Sequence, residues 1–368
     1  MKKYEKIAIV SGGTGGHVFP AQAFGAFLRS QNITVQQITD ARGARLSGWP
    51  KIDEKDAPEI IQAAPPSLNN PKKMLCFLWK TTCGCVASFR LLGKFRPDAV
   101  IGFGGYVAFP LLLMALFRGV PIWLHEQNVI MGKVNKFFSR WAKGLGWALP
   151  PLSNPKNYPI VGMPLRTGIS DIPRPKMYHP PLAEGYCRLL ILGGSQGARA
   201  LSTDIPRALQ KLPLSVRKKL QIHHQVRQED RAETMALYHA ADLSPTLAPF
   251  FENVGNLLAE THLVISRAGA SAIAEIQYFG KPAIFVPYPF SAGGHQAYNC
   301  QKLLEQGMAW KIDEGEKFQE SLALTLKDLY SNVQGLINAA ERMTATAPVA
   351  PEKALLSFMT DKTTKEKS

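Results

Sequence analysis

His17 is the residue whose neighbours best equip it to do chemistry. It ends the run Ser11-Gly12-Gly13-Thr14-Gly15-Gly16-His17 and is followed by Val18-Phe19-Pro20. An imidazole titrates near neutral pH, so it can take or give a proton there. The glycines ahead of it let backbone approach a ligand closely. A second polar set, His125-Glu126-Gln127-Asn128, follows the apolar stretch 121–124. The competing reading of the first set is a tight turn whose histidine is satisfied in its wall.

These side chains need elements to hold them. Residues 7–10 form an apolar run of strand length, and 21–29 carry Ala, Phe and Leu at helical spacing. Strand, glycine turn and helix aim the free N–H groups of a helix start above the strand, where an anion or developing negative charge is favoured. The pattern recurs. Residues 99–101 lead into Gly102-Phe103-Gly104-Gly105-Tyr106, and 189–192 into Gly193-Gly194-Ser195-Gln196-Gly197-Ala198. Leu263-Val264-Ile265 is followed by Arg267-Ala268-Gly269-Ala270-Ser271. The chain therefore reads as two α/β halves, each with its own ligand-facing edge.

In the first half, strands are expected at 33–38, 59–62, 99–101 and 121–124, and helices at 71–94, 107–117 and 129–142. Asp40 follows the second strand, and 42–56 is polar and irregular. The alternation predicts a doubly wound parallel sheet. His125-Glu126-Gln127-Asn128 then falls at the carboxyl end of a strand, where open parallel sheets bind ligands. Nine prolines between 150 and 181 mark an extended connector. Beyond it, strands are expected at 188–192, 221–225, 263–266 and 282–286. Helices are expected at 197–209, 229–240, 270–279, 294–306 and 351–359, with amphipathic stretches at 318–330 and 334–343. Residues 362–368 read as a charged, disordered tail.

At 368 residues the chain exceeds one typical core, so two domains are expected. Apolar residues at 46% and charged ones at 19% suit a soluble globular protein. The cysteines (76, 83, 85, 187 and 300) are odd in number and scattered, which reads as free thiols in a reducing compartment. The basic residues near the start precede an apolar run too short for a signal peptide, and a cytoplasmic protein is expected. Residues 99–117 are uncharged and about long enough to span a bilayer. Gly102, Gly104, Gly105 and Pro110 interrupt them, and strand–turn–helix is the better reading. The net charge of +15 is lopsided: residues 1–165 hold 20 Lys and Arg against 8 Asp and Glu, and the remainder 23 against 20. Such a field suits nucleic acid, an anionic membrane or a phosphorylated ligand. With no nucleic-acid motif present, membrane and phosphate lead.

A dinucleotide fingerprint would need G-x-G-x-x-G and an acid about twenty residues on. Gly13-Thr14-Gly15 begins it, but Val18 breaks it, Asp40 comes late, and the Gly193 turn also misses the spacing. A different pattern fits. Gly12-Gly13-Thr14-Gly15-Gly16-His17-Val18-Phe19-Pro20, Gly104-Gly105-Tyr106-Val107, His125-Glu126-Gln127-Asn128, Gly193-Gly194-Ser195-Gln196-Gly197-Ala198 and Arg267-Ala268-Gly269-Ala270-Ser271 occur in that order. Together they resemble the MurG family, the bacterial peptidoglycan N-acetylglucosaminyltransferases of glycosyltransferase family 28, over roughly residues 7–299.

The resemblance implies a GT-B fold, two Rossmann-like doubly wound parallel-sheet domains facing across a cleft. Residues 1–165 would be the acceptor and membrane-facing domain, with a helix at about 346–361 packing back on it, and 166–345 the UDP-GlcNAc domain. It implies inverting transfer of GlcNAc from UDP-GlcNAc to the 4-hydroxyl of MurNAc in undecaprenyl-pyrophosphoryl-MurNAc-pentapeptide. The enzyme would be peripheral, on the cytoplasmic face of the inner membrane, with the anionic surface and cell-wall or division proteins as partners and no nucleic acid. Such a transfer needs a base for the attacking hydroxyl, which a neutral imidazole suits. His17 is the candidate and Glu126 the runner-up. The helix start at the Ser195 turn can stabilise leaving UDP. No Asp-x-Asp follows a strand, so no metal and no cofactor are expected.

Carried over by motif, Thr14, Gly15 and Gly16 line the donor side of the cleft, Asn128 contacts the sugar, and Arg166 lies near the nucleotide. Ser195 meets the diphosphate and Phe251 lies beside the uracil. Ala270, Ser271, Ala272, Ile273, Ala274 and Glu275 form the ribose side, with the Glu275 carboxylate accepting from the hydroxyls, and Gln296 contacts GlcNAc. One departure stands out: many relatives carry Asp-Asn before His-Gln, where this chain has Gly293-Gly294-His295-Gln296. For the membrane, Met74, Leu75, Leu78 and Trp79 share one helical face flanked by Lys72, Lys73 and Lys80. That face either packs on the sheet or docks on anionic lipid, with Trp at the headgroup level. A UDP-GlcNAc 2-epimerase-like enzyme and a noncatalytic nucleotide-sugar-binding subunit are the alternatives.

Overall fold

The structure is a computed structural model that describes residues 4–46, 57–65, 70–181, 185–194 and 198–365. The chain divides into two compact units: residues 1–166 with 348–368, and residues 167–347.

The first unit is built on strands β1 (Lys6–Val10), β2 (Thr34–Thr39), β3 (Glu59–Ile60), β4 (Ala99–Gly102), β5 (Ile122–Glu126) and β6 (Gly144–Trp147). All pair in parallel, in the order β3-β2-β1-β4-β5-β6. Alternate side chains of β1 face opposite ways. Ile7 and Ile9 enter a core with Phe24, Leu28 and Trp123, while Ala8 and Val10 enter another with Val100, Leu111 and Leu124. Burial on both faces explains why the strand reads as an unbroken apolar run. The winding reverses between β1 and β4, so their carboxyl ends open onto one crevice.

Helix Pro71–Phe95 changes character along its length. Its second half docks through Gly84, Ser88 and Leu92, all buried at a spacing of one helical turn. A Cβ on Gly84 would lie 2.3 Å from the carbonyl oxygen of Gln62, so only glycine allows that approach. The first turns bury no described side chain, and Leu75 and Trp79 are each 70% exposed. Met74–Phe95 is long and apolar enough to cross a membrane by length and composition, with a mean hydropathy of 1.2. The uncharged stretch 99–117 is β4, a glycine turn and the helix Ala108–Phe117.

The second unit repeats the same winding. Strands β7 (Cys187–Leu192), β8 (Leu220–Gln225), β9 (Thr246–Ala248), β10 (Leu263–Ser266), β11 (Ala283–Phe285) and β12 (Ala309–Lys311) form a parallel sheet in the order β12-β11-β10-β7-β8-β9. Its core gathers Leu189, Ile191, Ile205, Ile222, Ile265 and Ile284 with Leu322 and Leu326 from helix Phe318–Ser331.

The final helix, Pro351–Lys365, belongs to the first unit. Leu355 and Met359 enter its core, Phe358 meets Trp123 edge-on at 5.3 Å, and the Tyr4 hydroxyl donates to the Met359 carbonyl. The tail expected to be disordered from 362 is helical to Lys365, because no glycine or proline interrupts the anchored turns before it. Other differences concern short elements. β6, β9, β12 and the helix Val254–Glu260 were not legible as elements, and the helix expected over 129–142 is confined to Lys133–Phe138. β6 reads Gly-Leu-Gly-Trp because Cβ atoms at Gly144 and Gly146 would collide with Phe358 and Trp123 and with Val161. The glycines that disguise this strand are what let it pack.

Candidate active site

Two glycine turns meet at the crevice of the first unit. The Gly12 amide donates to the Gly104 carbonyl at 2.9 Å. A Cβ on Gly12 would lie 2.8 Å from the Gly105 Cα, and one on Gly105 2.6 Å from the Gly12 Cα, so the backbones touch face to face. Gly104 and Gly105 have φ of 82° and 80°, in the left-handed region that favours glycine. Helix Gly15–Ser30 starts here with Thr14 as its N-cap. The first intrahelical bonds run from the His17 and Val18 amides to the Thr14 carbonyl. The Gly15 and Gly16 amides lie ahead of that ladder, in the turn where a helix presents donors.

The His17 ring lies against the Gly104–Gly105 turn and is half-buried. Its Nδ1 is 2.9 Å from Gln127 Oε1. Gln127 Nε2 is 3.0 Å from His125 Nδ1 and donates to the His125 carbonyl at 3.2 Å. His125 Nε2 in turn lies 2.9 Å from the Gly162 carbonyl. His125 is fully buried against the Phe103 ring, and burial pushes its pKa down to about 4, over the opposing pull of the Gly162 carbonyl and with a small further push from His17.

Glu126 ends β5 with 1% exposure. Its Oε1 accepts from the Asn128 amide at 3.1 Å, and its Oε2 from the Gly132 amide and Asn135 Nδ2, each at 2.9 Å. Both oxygens thus hold the loop that leads into helix Lys133–Phe138. Asn128 sits half-buried at the start of that loop. Asp40, the acid a dinucleotide fingerprint would use, packs against Gly13, accepts from the Gly43 amide at 2.9 Å and pairs with Arg42. Arg166 ends the unit with its guanidinium 5.3 Å from the Phe19 ring centre.

In the second unit, Ser195 lies outside the described residues. Residues 270–275 open the helix Ala270–Tyr278 at the carboxyl end of β10. Ala270, Ile273 and Glu275 are buried, while Ser271, Ala272 and Ala274 are half-buried. Arg267, just before that helix, donates to the Val286 and Pro287 carbonyls, pairs with Glu314 and lies 5.4 Å from the Tyr288 ring centre. Asn299 donates to the Ala268 carbonyl at 3.2 Å, so helix His295–Glu305 is tied to the same turn. Gln296, on that helix, accepts from the Tyr288 amide at 2.9 Å. Gly293 and Gly294 have φ of 63° and 68°. Left-handed backbone is open to Gly and, among other residues, most readily to Asn and Asp, so the Gly-Gly pair suits this loop shape. Phe251 is buried, edge-on to His223 at 6.1 Å.

The structure therefore joins Thr14, Gly15, Gly16, His17, Glu126 and Asn128 around one crevice in the first unit, and 270–275 with Gln296 around one turn in the second. His125, Gln127, Asn135 and Arg267 are the polar residues that selection by sequence passed over. Period-two alternation along β5 was the available signal for the first pair, since it places 125 and 127 on one side and 126 on the other. Among the described residues, no three His, Cys, Asp or Glu side chains are grouped so as to hold a metal ion.

Comparison with known proteins places this geometry. Residues 7–146 match the glycosyltransferase family 28 N-terminal domain and residues 188–354 the glycosyltransferase family 28 C-terminal domain. The UDP-N-acetylglucosamine--N-acetylmuramyl-(pentapeptide) pyrophosphoryl-undecaprenol N-acetylglucosamine transferase of Maricaulis maris is 37% identical over 90% of this chain and 91% of its own. The protein of the same name from Sinorhizobium medicae is 37% identical over 95% and 94%. The crystal structure of Acinetobacter baumannii MurG superposes with a TM-score of 0.78 at 30% identity, covering 97% of this chain and 99% of that one. A Listeria monocytogenes UDP-N-acetylglucosamine 2-epimerase, so described only provisionally, reaches a TM-score of 0.65 at 14% identity over 100% and 98%, a likeness of fold alone.

Proposed function

We infer the reaction from one premise: the chain belongs to glycosyltransferase family 28. It transfers GlcNAc from UDP-GlcNAc to the 4-hydroxyl of MurNAc in undecaprenyl-pyrophosphoryl-MurNAc-pentapeptide, with inversion at the anomeric carbon. The observation that carries this is likeness along nearly the whole chain to transferases whose printed name describes that donor and acceptor.

His17 is our candidate for the base. As the acceptor oxygen attacks the anomeric carbon and the bond to UDP breaks, a neutral imidazole takes the hydroxyl proton. The ring is held at Nδ1, and among the described residues nothing bonds its Nε2. Glu126 suits the role less well, because loop donors occupy both of its oxygens. Thr14, Gly15 and Gly16 present the helix start to the donor, and Asn128 lies beside the sugar. On the second unit, Ser195 would meet the diphosphate, Phe251 the uracil, 270–275 the ribose and Gln296 the GlcNAc hydroxyls, with Arg166 near the nucleotide. The charge left on departing UDP is stabilised by helix-start amides.

A peripheral attachment to the cytoplasmic face of the membrane follows from a lipid-linked acceptor. We assign it to residues 71–80, where Leu75, Leu78 and Trp79 are exposed beside Lys72 and Lys80. Apolar insertion and lysine attraction to anionic lipid add together.

Incubation with UDP-GlcNAc and an analogue of undecaprenyl-pyrophosphoryl-MurNAc-pentapeptide, read by mass spectrometry, tests the reaction. One GlcNAc added to the lipid per UDP released is the expected result. Epimerised UDP-sugar formed without acceptor, or donor bound without turnover, would overturn it.

A further inference from the structure

The hydrogen bonds behind His17 have only one self-consistent assignment of protons. The Gln127 amide nitrogen faces the His125 carbonyl at 3.2 Å. A backbone carbonyl only accepts, so the amide cannot be turned the other way without setting two oxygens against each other. With its nitrogen fixed there, Gln127 also donates to His125 Nδ1 at 3.0 Å, which must be a bare lone pair. His125 then carries its proton on Nε2, where the Gly162 carbonyl, again purely an acceptor, waits at 2.9 Å. The other end of the Gln127 amide is its oxygen, 2.9 Å from His17 Nδ1. That oxygen can only accept, so Nδ1 of His17 carries hydrogen.

We propose that Gln127, aimed by His125, is a positioning residue that fixes His17 with its proton on Nδ1 and its lone pair on Nε2. An unconstrained histidine side chain favours the opposite tautomer, so the network selects the form that nothing else would. Burial supports it, for His125 and Gln127 are both almost wholly inside the unit and water cannot replace either bond. The tautomer stands on hydrogen bonding alone; its value to catalysis rests on the reading of His17 as base, since a base needs its lone pair on the nitrogen left unbonded. A wrong tautomer at a catalytic imidazole can be very costly to turnover.

Nitrogen-15 correlation spectra of the full chain labelled at histidine test this directly, with the His17 signals identified by their loss in His17→Ala. Near pH 8 the expected pattern is a protonated Nδ1 and a bare Nε2. Gln127→Met, which removes the acceptor at similar size, should shift His17 toward the Nε2-protonated form. It should also lower kcat by about tenfold, the worth of one hydrogen bond, with the UDP-GlcNAc KM unchanged. A wild-type His17 protonated on Nε2, or a Gln127→Met spectrum like wild type, would overturn the proposal. If Gln127→Met does not fold, the wild-type spectrum decides alone. Normal turnover in His17→Ala would instead remove the base reading and leave the tautomer result intact.

Discussion

Glu126→Gln separates a clamp from a catalyst. The wild-type carboxylate accepts from the Asn128 amide through one oxygen and from the Gly132 amide and Asn135 Nδ2 through the other. Glutamine keeps the shape but turns one oxygen into an NH2 group that can only donate. If that group faces Asn128, the part-buried Asn128 amide and the longer bond from Asn128 Nδ2 at 3.5 Å lose their acceptor; if it faces Gly132 and Asn135, those two donors do. An unsatisfied buried donor costs about 1–3 kcal/mol, and the bonds that survive fall from the charged range of about 1.5–3 to the neutral range of about 0.5–1.5 kcal/mol. Relief from burying a charge offsets part of this. The net expectation is a loss of about 2–4 kcal/mol.

Urea unfolding followed by tryptophan fluorescence reads the change, because Trp79, Trp123, Trp141 and Trp147 all lie in the first unit. With an m value of about 3 kcal/mol/M, a loss of this size moves the midpoint by about 1 M. Turnover by the folded fraction should fall less than about tenfold, well short of what a missing base costs. A variant as stable as wild type whose kcat drops by about 10²–10⁴-fold would refute the clamp and make Glu126 the base.

Four further outcomes are expected. His17→Ala should lower kcat by about 10²–10⁴-fold with donor affinity little changed, as a rate and titration series would show; near-normal turnover would move the role elsewhere. Glu275→Ala should weaken UDP-GlcNAc and UDP alike by about 1.5–3 kcal/mol in calorimetry, and unchanged binding would take Glu275 out of the ribose site. The double variant Leu78→Glu/Trp79→Glu should stay folded by circular dichroism and no longer sediment with anionic vesicles, because both side chains are exposed; a folded variant that still sediments would remove the docking surface. Acid should destabilise both units before the carboxylates titrate. Burial pushes His125 down to about 4 and His224 to about 3, below the unfolded value near 6.5, so the unfolded chain binds protons that the folded one does not. Stability is therefore flat above pH 6.5 and falls as pH drops, by about 2 kcal/mol per histidine at pH 5. Equal thermal midpoints at pH 7.5 and 5 would contradict it.

What was legible in the sequence follows from how local each feature is. The central strands could be read because burial on both faces makes them unbroken apolar runs, as in β1, β4, β7 and β10. Edge elements carry no such signature. β9 and β12 are three residues each, and β6 hides behind two glycines, one of them required by Phe358, which is more than two hundred residues away. The same distance limits the reading of helix Pro71–Phe95. Its amphipathic face was plain, but whether that face met the sheet or solvent depended on Gly84 closing on Gln62, a contact that spacing does not encode.

The site divides along the same line. The glycine turns and His17 were recognisable because each is contiguous, and a glycine run is demanded locally by positive φ and close backbone approach. Glu126 was recognisable as a carboxylate near a ligand edge, and sequence alone favoured no reading that would commit both its oxygens to the loop. His125 and Gln127 stood in the same quoted tetrapeptide and were passed over, since their meaning comes from His17, 110 residues from Gln127 in the chain. Parallel sheets bring this about. β1 and β5 do not pair with each other, yet both end at the crevice, with only β4 between them and its glycine turn small enough to let the imidazole reach the amide. Gly104 and Gly105 help position the histidine through the backbone: their φ of 82° and 80° favours glycine, and a Cβ at Gly105 would lie 2.6 Å from the Gly12 Cα and drive apart the two turns between which the His17 ring is held.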